Sequence, residues 1–470
     1  MAGDATRPAP TSAVAALGAL RGGSDTIAAI ATPPGRGALA LVRLSGADAE
    51  QVASRVVAGW PTPARVATLA ILRDPATGEV LDEAIVTRFE GGRSFTGEPM
   101  VELSTHGGVV TSALVLGALL AAGARQAAPG EFTRRAVASG KLTLTQGEAI
   151  GDVIDATSRA AQRVALATLD GGLARRVVAL RDALLEVEAL IAYEIDFPEE
   201  DDGPIAPARV SESVARVASM LDALLATAPA GELVREGAVV VLAGPPNAGK
   251  SSLFNALLGQ ARALVTPIPG TTRDAIEAVV DGRSWPLRLV DTAGLRETAD
   301  SLERLGIEVS ERYLERAQVV LACAEHAAGL AATCAWISRL TGAPVIEVAT
   351  KRDRPEAEPV ASGSAALEVS AETGAGLDAL LARIEDTLAT ALGAPSFDAP
   401  VVTRARHLVA LRAAREELAA FATAWSAAAL PAPVMAVHLR SAVGALEELI
   451  GVVDTEDVLD RVFRSFCVGK

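Results

Sequence analysis

The spacing of apolar and polar positions changes several times along the chain. Between residues 26 and 104, short apolar runs at Thr26–Ile30, Ala38–Leu44, Arg65–Arg73, Ala84–Phe89 and Met100–Ser104 predict strands. Ala47–Ala58 and Val109–Ala122 read as helices, and Pro129–Arg135 begins another. This mixture predicts an α+β domain. From Thr145 to about Ile195 the spacing becomes helical, with Val177, Leu180, Leu184, Val187, Leu190 and Ile191 three or four residues apart. A helix of ~20 residues spans ~30 Å, so an arm is expected here rather than a compact unit. Phe197–Pro204, with two prolines and four acidic residues, ends it in a loop, and a second helix covers about Pro207–Thr227. Residues 238–392 then alternate strand and helix, with candidate strands at 238–243, 275–281, 286–291, 318–322, 344–350 and 366–370. That alternation is the pattern of a doubly wound parallel sheet. Helical spacing returns at Ala405–Ala424, Pro431–Ile450 and Glu456–Phe466, as though the strand–helix domain were inserted into a helical one.

The inserted region carries the clearest chemistry. Gly244-Pro-Pro-Asn-Ala-Gly-Lys-Ser251 fits the phosphate-loop pattern between a predicted strand and helix. Its glycines let backbone N–H groups turn toward an anion, and the helix N-terminus adds partial positive charge. Lys250 is placed to reach the β- and γ-phosphates of a nucleotide and Ser251 to hold Mg²⁺; Asn247, Ala248, Gly249 and Ser252 complete this wall. Thr271 and Thr272 follow in the loop Thr266-Pro267-Ile268-Pro269-Gly270, where a threonine hydroxyl can complete the metal's oxygen shell. A strand ends in Asp291-Thr292-Ala293-Gly294, a D-x-x-G in which Asp291 meets the metal through water. Thr350-Lys351-Arg352-Asp353 gives T-K-x-D, in which the Asp353 carboxylate accepts the N1–H and N2–H₂ of guanine and rejects adenine. Ser370-Ala371 closes the base pocket. Five segments in this order specify a guanine-nucleotide site.

Two details refine it. Leu295 follows Gly294, so no glutamine orients the attacking water there. The Asn247 amide oxygen, with backbone carbonyls of the 266–270 loop, suits a K⁺ ion that supplies charge where an arginine finger otherwise sits, although Asn247 alone also fits a loop-stabilising role.

Composition changes this picture little. Half of the residues are apolar, and a net charge of −15 argues against a chain coated with basic surface for nucleic acid. Cys323, Cys334 and Cys467 form no C-x-x-C, which points to a reduced, cytoplasmic protein. Residues 1–24 lack a secretory pattern and are expected to be disordered, and no membrane span is expected. Arg43 and Glu102 interrupt apolar strands, either on solvent faces or paired with each other, and Lys141 reads as an exposed helix-start charge.

Beyond the nucleotide motifs, Asp25-Thr-Ile-Ala-Ala-Ile-Ala-Thr-Pro-Pro-Gly-Arg-Gly37, Ser94-Phe-Thr-Gly-Glu98, His106-Gly-Gly108, Pro129-Gly-Glu-Phe132, Gly140-Lys-Leu142, Gln146-Gly-Glu-Ala149 and the closing Phe463-Arg-Ser-Phe-Cys-Val-Gly-Lys470 resemble the bacterial tRNA-modifying GTPase family MnmE (TrmE) over residues 25–470. The resemblance implies a multidomain α/β and α+β architecture. It comprises an extension (1–24), an N-terminal α+β folate-binding and dimerisation domain (25–140), a helical domain in two parts (141–236 and 393–470) and an inserted Ras-like P-loop G domain (237–392). It implies a cytoplasmic homodimer, without a membrane, that works on tRNA with a partner, MnmG (GidA), carrying FAD and using NADH. Together they add an aminomethyl or carboxymethylaminomethyl group to C5 of the wobble uridine. A reduced folate (5,10-methylene- or 5-formyl-tetrahydrofolate) supplies the one-carbon unit, and K⁺ and G-domain dimerisation stimulate GTP hydrolysis. Carried over by motif, Arg43, Glu102, Lys141 and Lys470 contact the folate, Asn247, Thr266, Ile268 and Thr271 surround K⁺, and Ser251 and Thr272 hold Mg²⁺. Glu303 matches the glutamate that orients the attacking water, and with Lys250 it makes up the catalytic pair. Cys467 matches a cysteine beside the folate pocket, a possible modification-site residue, though a lone cysteine is commonly inert packing. A ribosome-assembly regulatory GTPase is the alternative, but such chains carry a second G domain or a KH module, and neither is visible. A membrane-linked ion-transport GTPase lacks support without spanning segments.

Overall fold

The computed structural model describes residues 25–196, 207–260, 276–282, 285–291, 312–355, 365–392, 400–427, 431–451, 462–463 and 466–469. The chain divides into two compact units, Met1–Glu148 with Asp454–Lys470, and Ala149–Val453.

The first unit is built on a six-stranded sheet: β1 (Ile27–Ile30), β2 (Leu39–Ser45), β3 (Thr68–Arg73), β4 (Val80–Phe89), β5 (Met100–His106) and β6 (Arg125–Gln126), in the order β3-β4-β5-β2-β1-β6. All pairs are antiparallel except β1–β6. Alternation along β2 sends Val42 and Leu44 into a core with Val101 and Leu103 of β5, beneath α1 (Ala49–Val56) and α2 (Val109–Ala121). Arg43 therefore lies on the opposite face. α3 (Glu131–Ala138) and α4 (Leu144–Asp155) follow.

Two strands differ from expectation. β4 begins at Val80 rather than Ala84, because Asp82, an unfavourable strand residue, accepts hydrogen bonds from the His106 backbone N–H (2.8 Å) and ring Nδ1 (2.7 Å). β6 has two residues, too few to show a period.

In the second unit, α5 (Arg159–Leu169), α6 (Gly172–Asp196), α7 (Pro207–Leu225) and α8 (Ala228–Glu236) precede the G domain, and α12 (Ala405–Ser426) and α13 (Ala432–Ile450) follow it. The helical stretch after Thr145 is thus three helices. Ser158 caps α5, its Oγ accepting from the Ala161 N–H at 3.1 Å, and Gly171 turns the chain at φ +84°. Nor is α6 an arm. Leu173, Val177, Leu180, Leu184, Val187 and Ile191 line one core with Val214 and Leu221 of α7, Leu411 and Leu418 of α12 and Leu439 and Leu446 of α13. Segments on both sides of the G domain thereby close one helical bundle. Residues 207–236 are apolar and long enough to cross a membrane on length and composition, yet they form two helices, and Val210, Val214, Val217, Leu221 and Leu224 of α7 are buried in protein.

The G-domain sheet runs β12-β11-β10-β7-β9-β8, from β7 (Ala238–Ala243), β8 (Ile276–Asp281), β9 (Pro286–Asp291), β10 (Val319–Ala324), β11 (Val345–Ala349) and β12 (Leu367–Glu368). It is not wholly parallel, since β8 runs antiparallel to β9 as an edge hairpin. α9 (Lys250–Gln260), α10 (Ala327–Ile337) and α11 (Leu377–Leu392) complete it. Val240 and Leu242 face a core with Leu253 and Leu257, whereas Val241 and Ala243 face a core with Val320 and Ile337. Both faces are covered, which explains the unbroken apolar β7.

Candidate nucleotide and N-terminal polar sites

The phosphate loop follows β7, and its residue types are dictated by close approach. Gly244 has φ +155°, and a Cβ there would stand 2.1 Å from the Cys323 carbonyl oxygen of β10. Asn247 (φ +61°) and Gly249 (φ +80°) take left-handed conformations, which asparagine tolerates better than most residues. Lys250, the first residue of α9, is buried, and its Nζ donates to the carbonyls of Gly244 (2.9 Å) and Pro245 (2.8 Å). Ser251 and Ser252 are exposed at the start of the helix. Asp291, fully buried, ends β9 beside β7. Beneath them burial pushes the Cys323 thiol up to about 12, partly offset by Lys250, so it stays a neutral packing group.

The base end is built from the ends of β11 and β12. Thr350 Oγ1 donates to the Ala248 carbonyl at 2.7 Å, so threonine ties this loop to the phosphate loop. Lys351 (φ +56°) donates from Nζ to the Asn247 carbonyl at 2.6 Å. Ser370 Oγ donates to Asp353 Oδ1 at 2.6 Å, and this bond holds the exposed Asp353 carboxyl below the usual carboxylate range. Gly249, Ser252, Thr350, Lys351, Asp353 and Ala371 help to line a cavity of about 150 Å³. The structure therefore gathers Asn247, Ala248, Gly249, Lys250, Thr350, Lys351, Asp353, Ser370 and Ala371. The residues Thr266, Pro267, Ile268, Pro269, Gly270, Thr271, Thr272, Thr292, Ala293, Gly294 and Glu303 lie outside the described residues. Sequence reasoning missed Glu325, just past β10, whose carboxylate receives the Lys351 ammonium.

In the first unit, Arg43 and Glu102 are direct cross-strand neighbours, and Arg43 Nε donates to Glu102 Oε1 at 2.8 Å. Of the two openings the sequence allowed, the side chains pair with each other. Arg43 also lies over the Phe95 ring, 5.8 Å from its centroid, and its Nη1 donates to the Gly469 carbonyl at 3.4 Å. The C-terminal segment reaches this place through definite contacts. Phe463 is buried, Pro129 forms a bridge with Val468, and the Gly130 N–H donates to the Cys467 carbonyl at 3.3 Å. Cys467 is exposed. Lys141 is exposed and donates from Nζ to the Gly92 carbonyl at 2.9 Å. Lys470 lies outside the described residues, as do residues 1–24 and the acidic 197–204 loop. Among the described residues no group of three His, Cys, Asp or Glu side chains gathers to hold a metal.

A second polar network explains motifs that carried no role in the sequence. Arg135 donates to Asp25 Oδ1 (2.8 Å), Glu131 Oε1 (3.0 Å) and Glu98 (3.2 Å), and Arg125 donates to Glu131 Oε1 (2.7 Å) and Asp25 Oδ2 (2.7 Å). Ser45 Oγ meets Glu98 Oε2 at 2.8 Å and Thr96 Oγ1 at 2.7 Å. Burial alone would raise the Glu131 carboxyl, but hydrogen bonds from Arg125, the Ala128 N–H and Arg135 outweigh it and hold the group below its ordinary range. Ser94–Glu98 and Pro129–Phe132 are thus clamped to the start of β1, beside Arg43 on β2.

Comparison with known proteins agrees with this division. The family model described as the GTP-binding protein TrmE N-terminus matches residues 26–141, and that described as the MnmE helical domain matches residues 144–467. The tRNA modification GTPase MnmE of Azoarcus sp. is 44% identical over 458 residues, covering 95% of this chain and 98% of that protein. Proteins of the same name from Thermus thermophilus (43% over 450 residues; 95% and 99%) and Methylobacterium sp. (45% over 455 residues; 95% and 100%) match similarly. A solved G domain of the T. maritima FeoB iron transporter matches 32% of this chain and 98% of that chain at 28% identity, but its TM-score of 0.26 is too low to carry an argument. With both family models matched in sequence along the chain, and relatives aligned over 95% of it, the chain belongs to the tRNA modification GTPase MnmE family.

Proposed function

We propose that the protein hydrolyses GTP as part of a tRNA-modifying complex. One observation carries this reading: the phosphate loop and the T-K-x-D loop meet at the ends of parallel strands, with Lys250 buried at one end and Asp353 presented at the other. Lys250 has to exchange two backbone carbonyls for the β- and γ-phosphates, giving up neutral acceptors for anionic oxygens that bind its ammonium more strongly. Asp353, held by Ser370 and kept ionised, accepts the guanine N1–H and N2–H₂. Ser251 and Asp291 suit Mg²⁺ because a helix-start hydroxyl and a buried carboxylate supply hard oxygen ligands; Thr272 is the second direct ligand in this reading. Asn247 suits K⁺ with Thr266, Ile268 and Thr271, and Glu303 orients water. Bound K⁺ would supply positive charge opposite the developing phosphate charge.

In the same reading, the N-terminal unit binds a reduced folate. Arg43 and Glu102 offer a largely buried donor–acceptor pair on a sheet face, and Lys141 and Lys470 supply further charge. The exposed Cys467 stands on the segment whose Gly469 carbonyl receives Arg43. The chain acts as a homodimer with MnmG, which supplies FAD and NADH chemistry, to place an aminomethyl or carboxymethylaminomethyl group on wobble-uridine C5 of tRNA. GTP turnover, aided by G-domain dimerisation, times that step in the cytoplasm. The test is mass spectrometry of wobble uridines in tRNA from a strain lacking this chain, complemented with wild type or Lys250→Ala. The reading requires loss of the modified base and no restoration by the variant. Unchanged uridine modification in the deletion strain would overturn it.

A further inference from the structure

Glu325 is a residue that the nucleotide-site motifs leave unassigned. It stands immediately after β10, next to β11, and the Thr350 N–H donates to the Ala324 carbonyl at 2.9 Å, which fixes the two strand ends together. The Glu325 carboxylate receives Lys351 Nζ at Oε1, and Arg354 Nη1 stands 3.7 Å from Oε2. Lys351 holds this carboxyl below its ordinary range, with Arg354 adding to the effect. The same ammonium also donates to the Asn247 carbonyl. Between its two ends the lysine stem lies over the phosphate loop: a Cβ on Gly249 would be 3.5 Å from Lys351 Cε and 3.6 Å from Cγ. The Lys351 ammonium is therefore held by two acceptors at once, the Asn247 carbonyl and the Glu325 carboxylate, at the end of a side chain that rises from a left-handed backbone costly for a residue of its size.

We infer that Glu325 is a positioning residue for guanine-nucleotide binding: it anchors the Lys351 ammonium, so that the lysine stem is held flat as one wall of the base pocket. The physical argument is directional. A lysine carries four rotatable bonds and about 2 kcal/mol of rotamer entropy. One carbonyl acceptor leaves the ammonium free to swing about that contact, whereas a second, charged acceptor fixes it. Ser370 performs the matching service for Asp353. The lysine and the aspartate of T-K-x-D are then each oriented by a neighbour outside the motif.

This inference rests on the guanine-nucleotide reading, and the experiment separates the two. Dissociation of a fluorescent GDP analogue is followed by stopped flow for the full chain, for Glu325→Gln and Glu325→Asp, and for each of these in a Lys351→Met background. Glu325→Gln is expected to speed dissociation about fivefold, as for loss of a charge-assisted hydrogen bond that is partly screened by solvent. Glu325→Asp is expected to recover most of the loss, and neither change should alter dissociation further once Lys351 is Met. Circular dichroism melting reads folding of each variant. If Glu325→Gln does not fold, Glu325→Asp against Lys351→Met carries the same comparison. No binding by the wild-type chain would overturn the guanine reading itself. Binding by wild type with an unchanged rate in Glu325→Gln, or an equal effect with and without Lys351, would overturn the role of Glu325 alone.

Discussion

Arg43 on β2 and Glu102 on β5 face each other across one antiparallel rung, and their side chains close the gap at 2.8 Å. Both are about four-fifths withdrawn from water, at 24% and 21% side-chain exposure, so neither can lose its partner cheaply. Arg43→Ala is expected to weaken reduced-folate binding in titration calorimetry by at least about tenfold, the scale of a lost charged hydrogen bond. GTP affinity should stay unchanged. Equal folate affinity in the variant would remove Arg43 from the site.

Gly244 gives a steric prediction. A side-chain carbon there would stand 2.1 Å from the Cys323 carbonyl, so β7 and β10 would have to separate where the phosphate loop begins. Gly244→Ala should lower nucleotide affinity by roughly ten- to a hundredfold, since strained backbone positions cost of order 1–3 kcal/mol. Equilibrium binding of labelled GDP measures it, and wild-type affinity would show that the loop relaxes freely.

Asn247 carries the cation prediction. Replacing Na⁺ by K⁺ should raise GTP turnover in wild type but not in Asn247→Ala. Because Asn247 sits at φ +61°, Asn247→Gly is the necessary companion: it keeps the backbone and removes only the amide. A K⁺ response surviving in both variants would exclude the amide as a ligand.

The Glu131 cluster predicts acid sensitivity. Glu131 and Asp25 are both held below their ordinary ranges in the folded protein, because arginine contacts, joined at Glu131 by the Ala128 N–H, outweigh desolvation. A depressed folded value means stability that is fully present above the unfolded carboxylate range and lost as pH falls through the folded one. Thermal melting of the wild type should therefore fall off below about pH 4.5, the unfolded glutamate range. Glu131→Gln should flatten that acid limb and cost about 3 kcal/mol at neutral pH, as for a broken buried ion pair. An acid limb identical to wild type would mean that other carboxylates control it.

The nucleotide loop was legible because its backbone admits few residue types. Gly244 and Gly249 are demanded by contact and conformation, and the Thr350 tether follows from the chemistry of a hydroxyl near a carbonyl. The pairing of Arg43 with Glu102 was open in the sequence, since period two gives each residue a face but no register between strands 59 residues apart. For the same reason the helical bundle read as an arm. Its inner face on α6 was visible, but the covering faces of α12 and α13 lie beyond the whole G domain. β8 looked like any other apolar strand, because strand direction is a property of connections rather than of residues. Glu325 was invisible because its meaning depends on a lysine that folding alone brings near.

The Phe463–Gly469 segment sets an order on biosynthesis. It seats Phe463 against Gly130 and Gly147, bridges Pro129 through Val468 and gives Arg43 the Gly469 carbonyl. Yet a ribosome makes it only after the helical bundle and the G domain. The first unit to emerge therefore keeps the surface around Pro129, Gly130 and Gly147 uncovered until residues 463–469 have been translated. The Arg43–Gly469 hydrogen bond thus joins residues 426 positions apart, and a product truncated before Phe463 keeps the strand that carries Arg43 but not this acceptor.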